Sequence, residues 1–286
     1  MRFQVSSKLK YQVHGPATLI FSVHALRTAS QTVVEESLRI EPHMKHEEFV
    51  STSGDSRFVR IVAPRPIEEL KLVYKAKVDT EHEVIEGKDL ERVAVQHLDH
   101  GLVSYLFPSR YCQSDKLGRL AWSKFGNISN AYERVVAITD WIYENVEYVA
   151  GSTNATTSAY DTVSERAGVC RDFSHLGIAL CRALNIPARY ITGYAYRLEP
   201  PDFHACFEAF IGDRWIVFDA TRLAPLNGLV RIASGRDAAD ASVVTIFGNV
   251  SWLSSKVRCE VDDESKFEPM SRAQLGQRGV SLEVSR

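Results

Sequence analysis

The sequence lacks the features that mark most specialised classes of protein. It has no charge excess: 34 Lys and Arg against 36 Asp and Glu leave a formal net charge of −2. Nothing draws a phosphate backbone, so no nucleic-acid partner is expected. No apolar run comes near the roughly 20 residues that a membrane-crossing helix needs. The opening, Met1-Arg2-Phe3-Gln4-Val5-Ser6-Ser7-Lys8-Leu9-Lys10, lacks the apolar stretch of a secretory signal. No membrane partner is expected, and the expected location is cytoplasmic. Cysteine is scarce, with five thiols among 286 residues at positions 112, 170, 181, 206 and 259. An odd number at irregular spacing argues against a disulfide framework, and no Cys-x-x-Cys pair suggests zinc. His43/His46 and His97/His100 have no third ligand nearby and read as surface residues. Internal repeats and low-complexity segments are missing too.

What remains is an ordinary globular composition, 45% hydrophobic and 24% charged, enough to bury a real core. At roughly 150 residues per domain the length suggests two domains. Residues 1 to about 95 carry short alternating runs around Val13, Leu19, Phe21 and Val23, then Leu38 and Ile40, then 58–62 and 70–74. The breaks hold Gly15-Pro16, Pro42, Gly54 and Pro64-Arg65-Pro66. This spacing predicts an antiparallel β-sandwich. From about residue 109 the period lengthens. Ser114 or Asp115 opens a helix to about Lys124. Asn130 with Glu133 forms a capping-box pattern, and Val135, Ile138 and Ile142 recur at helical spacing to about Asn145. A polar loop of about twenty residues follows, a length often functional inside a compact domain. Another helix opens at Gly168-Val169-Cys170, shows Phe173, Leu176, Leu180 and Leu184 on one face, and stops at Pro187. Strands are expected over 188–197, 203–211, 214–219 and 242–261. The expected division is a β-sandwich domain over 1–100, an α+β catalytic domain over 101–265 and a loosely held polar tail over 266–286.

The chemistry-bearing residues lie in the second part. Cys170 sits where a loop becomes a helix, against unpaired N–H groups and the positive end of the helix dipole. Those groups suit a nucleophilic sulfur and an oxyanion. Two apolar runs, 203–211 and 214–219, flank Gly212-Asp213 and read as a β-hairpin in which residue 211 faces 214. In that register His204, Cys206, Asp219 and Thr221 share one face. His204 and Asp219 become diagonal neighbours about 7–8 Å apart along the backbone, within reach of imidazole and carboxylate. A nucleophile (Cys170), a base (His204) and a group to orient the base (Asp219) are then all present. His175, five residues past Cys170, points away from the thiol and reads as structural, and Tyr190, Tyr194 and Tyr196 as packing on the sheet. Arg222, beside Asp219, is open to two readings: a buttress for the carboxylate or a substrate contact.

Four segments together resemble the bacterial transglutaminase-like family: Gly168-Val169-Cys170-Arg171-Asp172-Phe173, Asn185-Ile186-Pro187-Ala188-Arg189 through Gly193-Tyr194, His204-Ala205, and Asp219-Ala220-Thr221. The family pattern is roughly G-x-C-x-D-F, G-I-P-A-R-x-x-x-G-Y, H-A-W and D-x-T, and the resemblance covers about residues 110–250. Two positions depart from it. Asn185 stands where Gly is common, and Cys206 where Trp is usual, which places a smaller, more oxidisable side chain at the expected substrate wall. The resemblance implies a papain-like core, a Cys-bearing helix packed on an antiparallel sheet that carries His and Asp, preceded by a β domain. It implies acyl transfer on a peptide or protein amide through a thioester. No metal or organic cofactor is expected, because side chains complete the chemistry. Hydrolysis is the expected outcome, since water needs no second binding site. Transfer to an amine, as in a protein-glutamine transglutaminase, is the alternative. A non-catalytic scaffold is a further one, against which the three retained triad residues argue.

Overall fold

A computed structural model describes residues 1–284. Eight strands form two four-stranded antiparallel sheets. One has the order Val250–Val261, Arg2–Val13, Ile67–Thr80, Gln31–Glu41; the other has Val244–Phe247, Ala17–Phe21, Arg57–Ala63, His46–Val50. Alternation drives the arrangement. Phe3, Val5, Leu9, Tyr11 and Val13 on one sheet and Leu19, Phe21, Val59 and Ile61 on the other are buried, and alternate with residues that face outward. The Tyr11 and Phe21 rings meet across the gap at 5.7 Å. This is the expected sandwich, with one difference: two of its strands, Val244–Phe247 and Val250–Val261, come from within the span expected for the catalytic domain.

The second layer is a six-stranded sheet ordered Leu229–Gly235, Ala188–Ala195, Phe203–Ile211, Arg214–Phe218, Arg278–Ser281, Glu83–Glu86. It too takes strands from outside the expected boundaries, one from before residue 101 and one from beyond 265. Strand pairing thus crosses the expected divisions at 101 and 265 at both ends of the chain. The reason is that pairing partners are not written in a strand's own residues, and four-residue strands such as Arg278–Ser281 carry too little periodicity to detect. The expected polar tail is docked rather than loose. Val280 and Leu282 are buried, and the Glu283 carboxylate accepts from both Arg189 and Arg231. Its last two residues, 285–286, lie outside the described residues. The two layers share one apolar core, and polar links cross it: the Tyr194 hydroxyl meets Ser7 Oγ at 3.1 Å and donates to Val23 O at 2.6 Å.

Helices α1 (Ser114–Phe125), α2 (Ala131–Asn145), α3 (Ala159–Glu165) and α4 (Cys170–Ala183) cover the second sheet. α1, α2 and α4 fall where periodicity placed them, and Asn130 Oδ1 accepts from Glu133 N–H as an N-cap. α3 falls in the segment expected to be a polar loop. Its signal is the capping box of Ser158 and Asp161, masked by its seven-residue length. α4 is buried on almost every side and lies on the strand Phe203–Ile211. Gly177 permits that approach, because a Cβ there would press into the Phe207 ring. Gly177→Ala sets helix propensity, worth about 1 kcal/mol in favour of Ala, against overpacking worth about 1–3 kcal/mol. Net destabilisation by up to about 2 kcal/mol is expected in urea unfolding. A variant more stable than the parent would refute the close packing.

Among the described residues, no helix is long and apolar enough to cross a membrane.

Candidate active site

The start of α4 is prepared by the residues before it. Ala167–Gly168 pairs in parallel with Glu147–Tyr148, and Val169 is extended at the N-cap. Asp172, fully buried, folds back so that Oδ2 accepts from Val169 N–H at 2.9 Å and from Thr153 Oγ1 at 2.7 Å. Gly168 makes room for this, since a Cβ would lie 2.8 Å from Asp172 Cβ. The Gly-x-Cys-x-Asp spacing is therefore a capping device: Asp172 serves the helix terminus and the preceding segment, and leaves Cys170, which is partly exposed, at the first turn. Arg171 ties the same segment down through Asn154 O at 2.7 Å.

The hairpin turns at Gly212 (φ 60°) and Asp213 (φ 58°), both left-handed as a type I′ turn requires. Its register runs from Ile211↔Arg214 to Phe207↔Phe218, as the spacing predicted. Asp219 leaves the strand one residue later and accepts from His204: Nε2 to Oδ2 is 2.8 Å. The other oxygen, Oδ1, accepts from Thr221 N–H at 2.8 Å and Thr221 Oγ1 at 2.7 Å. Thr221, placed on this face by the hairpin register, thus holds the carboxylate. Arg222 does not buttress it. Its guanidinium pairs with Asp140 and lies 3.8 Å from the Tyr143 ring centroid.

Burial opposes charge at both partners, and their pairing overcomes it. For His204, burial pushes the imidazole pKa down, yet neighbouring groups hold it well above its ordinary range. Cys206 and Asp219 are the strongest of these, followed by hydrogen bonding to Asp219 and to the Cys170 thiol. The Cys206 thiol is itself pushed up to about 12 by burial and by Asp219. It is thus uncharged at neutral pH, and the Asp219 carboxylate carries the effect on His204. Burial raises Asp219, and the bonds from His204 and Thr221 bring it below the usual carboxylate range.

With Nε2 on Asp219, His204 Nδ1 has no hydrogen-bond partner among the described residues, and the Cys170 thiol is near enough to the ring to add to its proton affinity. Cys206 shares the face, as the register required: one donor atom each from His204, Cys206 and Asp219 lie within 4.8 Å of one another. It does not form a substrate wall, however. It is 2% exposed and packs among Ile191, Val217 and Leu229, so the small residue at the Trp position is sealed beneath the site. His175 is structural, as expected. Buried between Tyr111 and Tyr190, it accepts from Ala238 N–H at 3.1 Å, and burial, with Arg171 and Arg182, pushes its pKa well down. Tyr148 was missed in the sequence. Its pairing with Gly168 and its ring contact with Phe173 at 5.9 Å set it beside Cys170. Burial raises its hydroxyl pKa, and the Cys170 sulfur adds to that.

Comparison with known proteins agrees with this geometry. Residues 1–101 match the family "Bacterial transglutaminase, N-terminal domain", and residues 119–220 match the "Transglutaminase-like superfamily". A Cytophaga hutchinsonii protein of known crystal structure, described as a "Putative Cysteine Protease", is 58% identical. That similarity covers 98% of this chain and 97% of the other, with a TM-score of 0.95. An uncharacterized protein of Mycobacterium leprae is 25% identical over 277 residues, covering 85% of this chain and 97% of the relative. An uncharacterized protein of Mycobacterium bovis is 38% identical over 80 residues, which is 28% of this chain and 23% of the relative. The chain belongs to the bacterial transglutaminase-like family, whose α+β core and N-terminal β domain it shares.

Proposed function

We propose that the protein catalyses cysteine-dependent acyl transfer on amide or peptide substrates, with water as acceptor. The observation that supports this reading is the state of the His204 ring: Nε2 is committed to Asp219, and Nδ1 is buried without a partner. In the proposed sequence His204 Nδ1 takes the Cys170 proton, and Sγ attacks the carbonyl carbon. The tetrahedral adduct collapses, expelling the amine with the proton from His204, and a thioester remains. Water then attacks the thioester and gives its proton to His204, and the acid leaves as Cys170 recovers its proton. Positioned general-base assistance of this kind is typically worth about 10²–10⁴ in rate. The Cys170 and Arg171 N–H groups are the donors at hand for the oxyanion, since those of Asp172 and Phe173 already donate to Val169 O; the Tyr148 hydroxyl lies beside them.

The test is mass spectrometry after exposure to a library of electrophilic amide mimics, compared with Cys170→Ala. One adduct on Cys170, absent from the variant, is expected; adducts elsewhere or none would favour a scaffold. A lysine-rich peptide present during turnover distinguishes the acceptors, since its incorporation in preference to hydrolysis would assign transfer to an amine.

Selective labelling follows from the same geometry. Burial holds the other four thiols protonated, Cys112 and Cys206 up to about 12 and Cys181 and Cys259 higher still. With iodoacetamide at pH 6–7, Cys170 is expected to alkylate first. Faster modification of Cys206, with the labelling rate unchanged in Cys170→Ala, would remove Cys170 from its role.

A further inference from the structure

The hairpin that orders His204 and Asp219 sets a third donor on the same face, at a position where the sequence departs from the family pattern. One donor atom each from His204, Cys206 and Asp219 lie within 4.8 Å of one another, and His204 Nε2 is 2.8 Å from Asp219 Oδ2. A ring nitrogen, a sulfur and a carboxylate oxygen are the ligand types that zinc takes. Around a tetrahedral zinc, with bonds of about 2.0–2.3 Å, ligand atoms stand about 3.3–3.6 Å apart, so side-chain shifts of about 1 Å suffice here. The outer shell is already built. The Thr221 N–H and hydroxyl both donate to Asp219 Oδ1, which fixes the carboxylate and leaves Oδ2 for the ion. A void of about 10 Å³ is lined by His204 and Cys206 together with Ile191 and Leu229. It has about the room of one water, the usual fourth ligand where the protein supplies three. Arg231 also lines it, but pairs with Glu283 at 2.9 Å and stands 3.7 Å from Glu208, so its charge is balanced. All three ligands are buried: Cys206 is 2% exposed, and the side chains of His204 and Asp219 are 1% and 3% exposed.

We propose that His204, Cys206 and Asp219 form a closed inhibitory site for zinc or a similar thiophilic divalent cation, in which the ion replaces the hydrogen bond between His204 and Asp219. The ligands are His204 Nε2, Cys206 Sγ and Asp219 Oδ2, with water as the fourth. The Cys206 thiol proton passes to solvent as the thiolate binds. The Nε2 proton of a charged ring does the same, and a neutral ring moves that proton to Nδ1. Either way the ring is left with one proton, on Nδ1, and cannot take another from Cys170. The triad is silenced without the ion touching the nucleophile. A Trp at position 206 would offer only an N–H donor and no ligand, so the site belongs to chains with cysteine there. The ion is an inhibitor here and not a cofactor. The site stands on the geometry alone, and only its silencing effect rests on the acyl-transfer reading above.

The test measures binding first, in full-length Cys170→Ala, where the nucleophile is removed as a rival ligand. After slow equilibration with Zn²⁺, a single ion per chain is expected, held at about 1 μM or tighter. X-ray absorption should show one sulfur at about 2.3 Å and the other ligands at about 2.0–2.2 Å. Co²⁺ in its place should give a thiolate-to-cobalt charge-transfer band in the near ultraviolet. Cys206→Ser in the same background, close in size, should lose that band and bind zinc more weakly by about 100-fold or more. Thr221→Val, which keeps all three ligands but loosens Asp219, should weaken binding about 10-fold. Circular dichroism checks that each variant is folded; if Cys206→Ser is not, the absorption spectrum and Thr221→Val still decide. Absence of binding, a shell without sulfur, or affinity unmoved by Cys206→Ser would overturn the site. In the wild-type protein zinc should slow amide turnover by about 10²-fold or more, reversed by a chelator, and full turnover with the ion bound would overturn the silencing. Selective alkylation of Cys170 in zinc-free protein is read separately. Its failure sinks the acyl-transfer reading, whereas failure of zinc binding sinks only the metal site.

Discussion

Replacing Asp219 with Asn is expected to lower turnover of an amide substrate by about 10²–10⁴-fold, while Cys170 remains present and alkylatable. The size of the effect follows from Thr221. Its backbone N–H and hydroxyl both donate to one oxygen of Asp219. A backbone N–H only donates, so an Asn here must turn its carbonyl oxygen toward Thr221. The Asn NH₂ group then points at His204 Nε2 and forces that nitrogen to accept. The proton moves to Nδ1, the atom that must take the proton from Cys170, and the base is presented in the wrong tautomer. Restoring the right one requires breaking buried hydrogen bonds to Thr221. Asp219→Ala, which imposes no tautomer, should therefore be no worse than Asp219→Asn although it removes more atoms. Turnover unchanged in Asp219→Asn would take Asp219 out of the mechanism and leave a Cys–His dyad.

The triad was legible in the sequence because each member sits on a feature with a local signature. The helix start at Cys170 follows from Gly168 and the apolar period after it. The relation of His204 to Asp219 follows from a two-residue turn, which fixes a hairpin register without reference to the rest of the chain. The role of Asp172 is half local: its bond to Val169 N–H follows from the three-residue spacing, whereas its bond to Thr153 depends on a long segment that returns to the terminus of α4. The fate of Cys206 was half legible. The register put it on the base's face, but whether that face opens to solvent depends on Leu229 and on the C-terminal segment, which are remote in sequence. Arg222 was likewise undetermined, because it lies in a loop and its partners Asp140 and Tyr143 are on α2, remote in sequence. The crossing of the two chain ends between layers was invisible for the same reason. Local periodicity reports that a strand exists and which face it buries, whereas its neighbours are chosen by long-range packing.

His204→Ala is expected to reduce alkylation of Cys170 by about 10²-fold at pH 6, with the deficit closing as pH rises toward 9. An isolated thiol with a pKa near 8.5 is ionised in only about one molecule in 300 at pH 6, and its alkylation climbs about tenfold per pH unit until it titrates. In the parent protein the imidazole opposite Cys170 holds its proton well above the ordinary histidine range, because Asp219 outweighs the effect of burial. A protonated imidazole beside the sulfur favours the charged nucleophile at a pH where an isolated thiol has scarcely begun to ionise. The sign is fixed by the direction of the His204 shift. Since its proton affinity is raised, the stabilising charge is fully present at low pH and is lost only as pH climbs through the elevated value. The deficit of the variant should therefore be largest at low pH and shrink as pH rises, so that the two profiles do not run in parallel. Asp219→Asn should fall between them, since it keeps the imidazole but removes the carboxylate that raises its proton affinity. Parallel profiles for the parent and His204→Ala, at any offset, would mean that His204 does not act on Cys170 through its charge, and the proton transfer assigned to this pair would have to be abandoned.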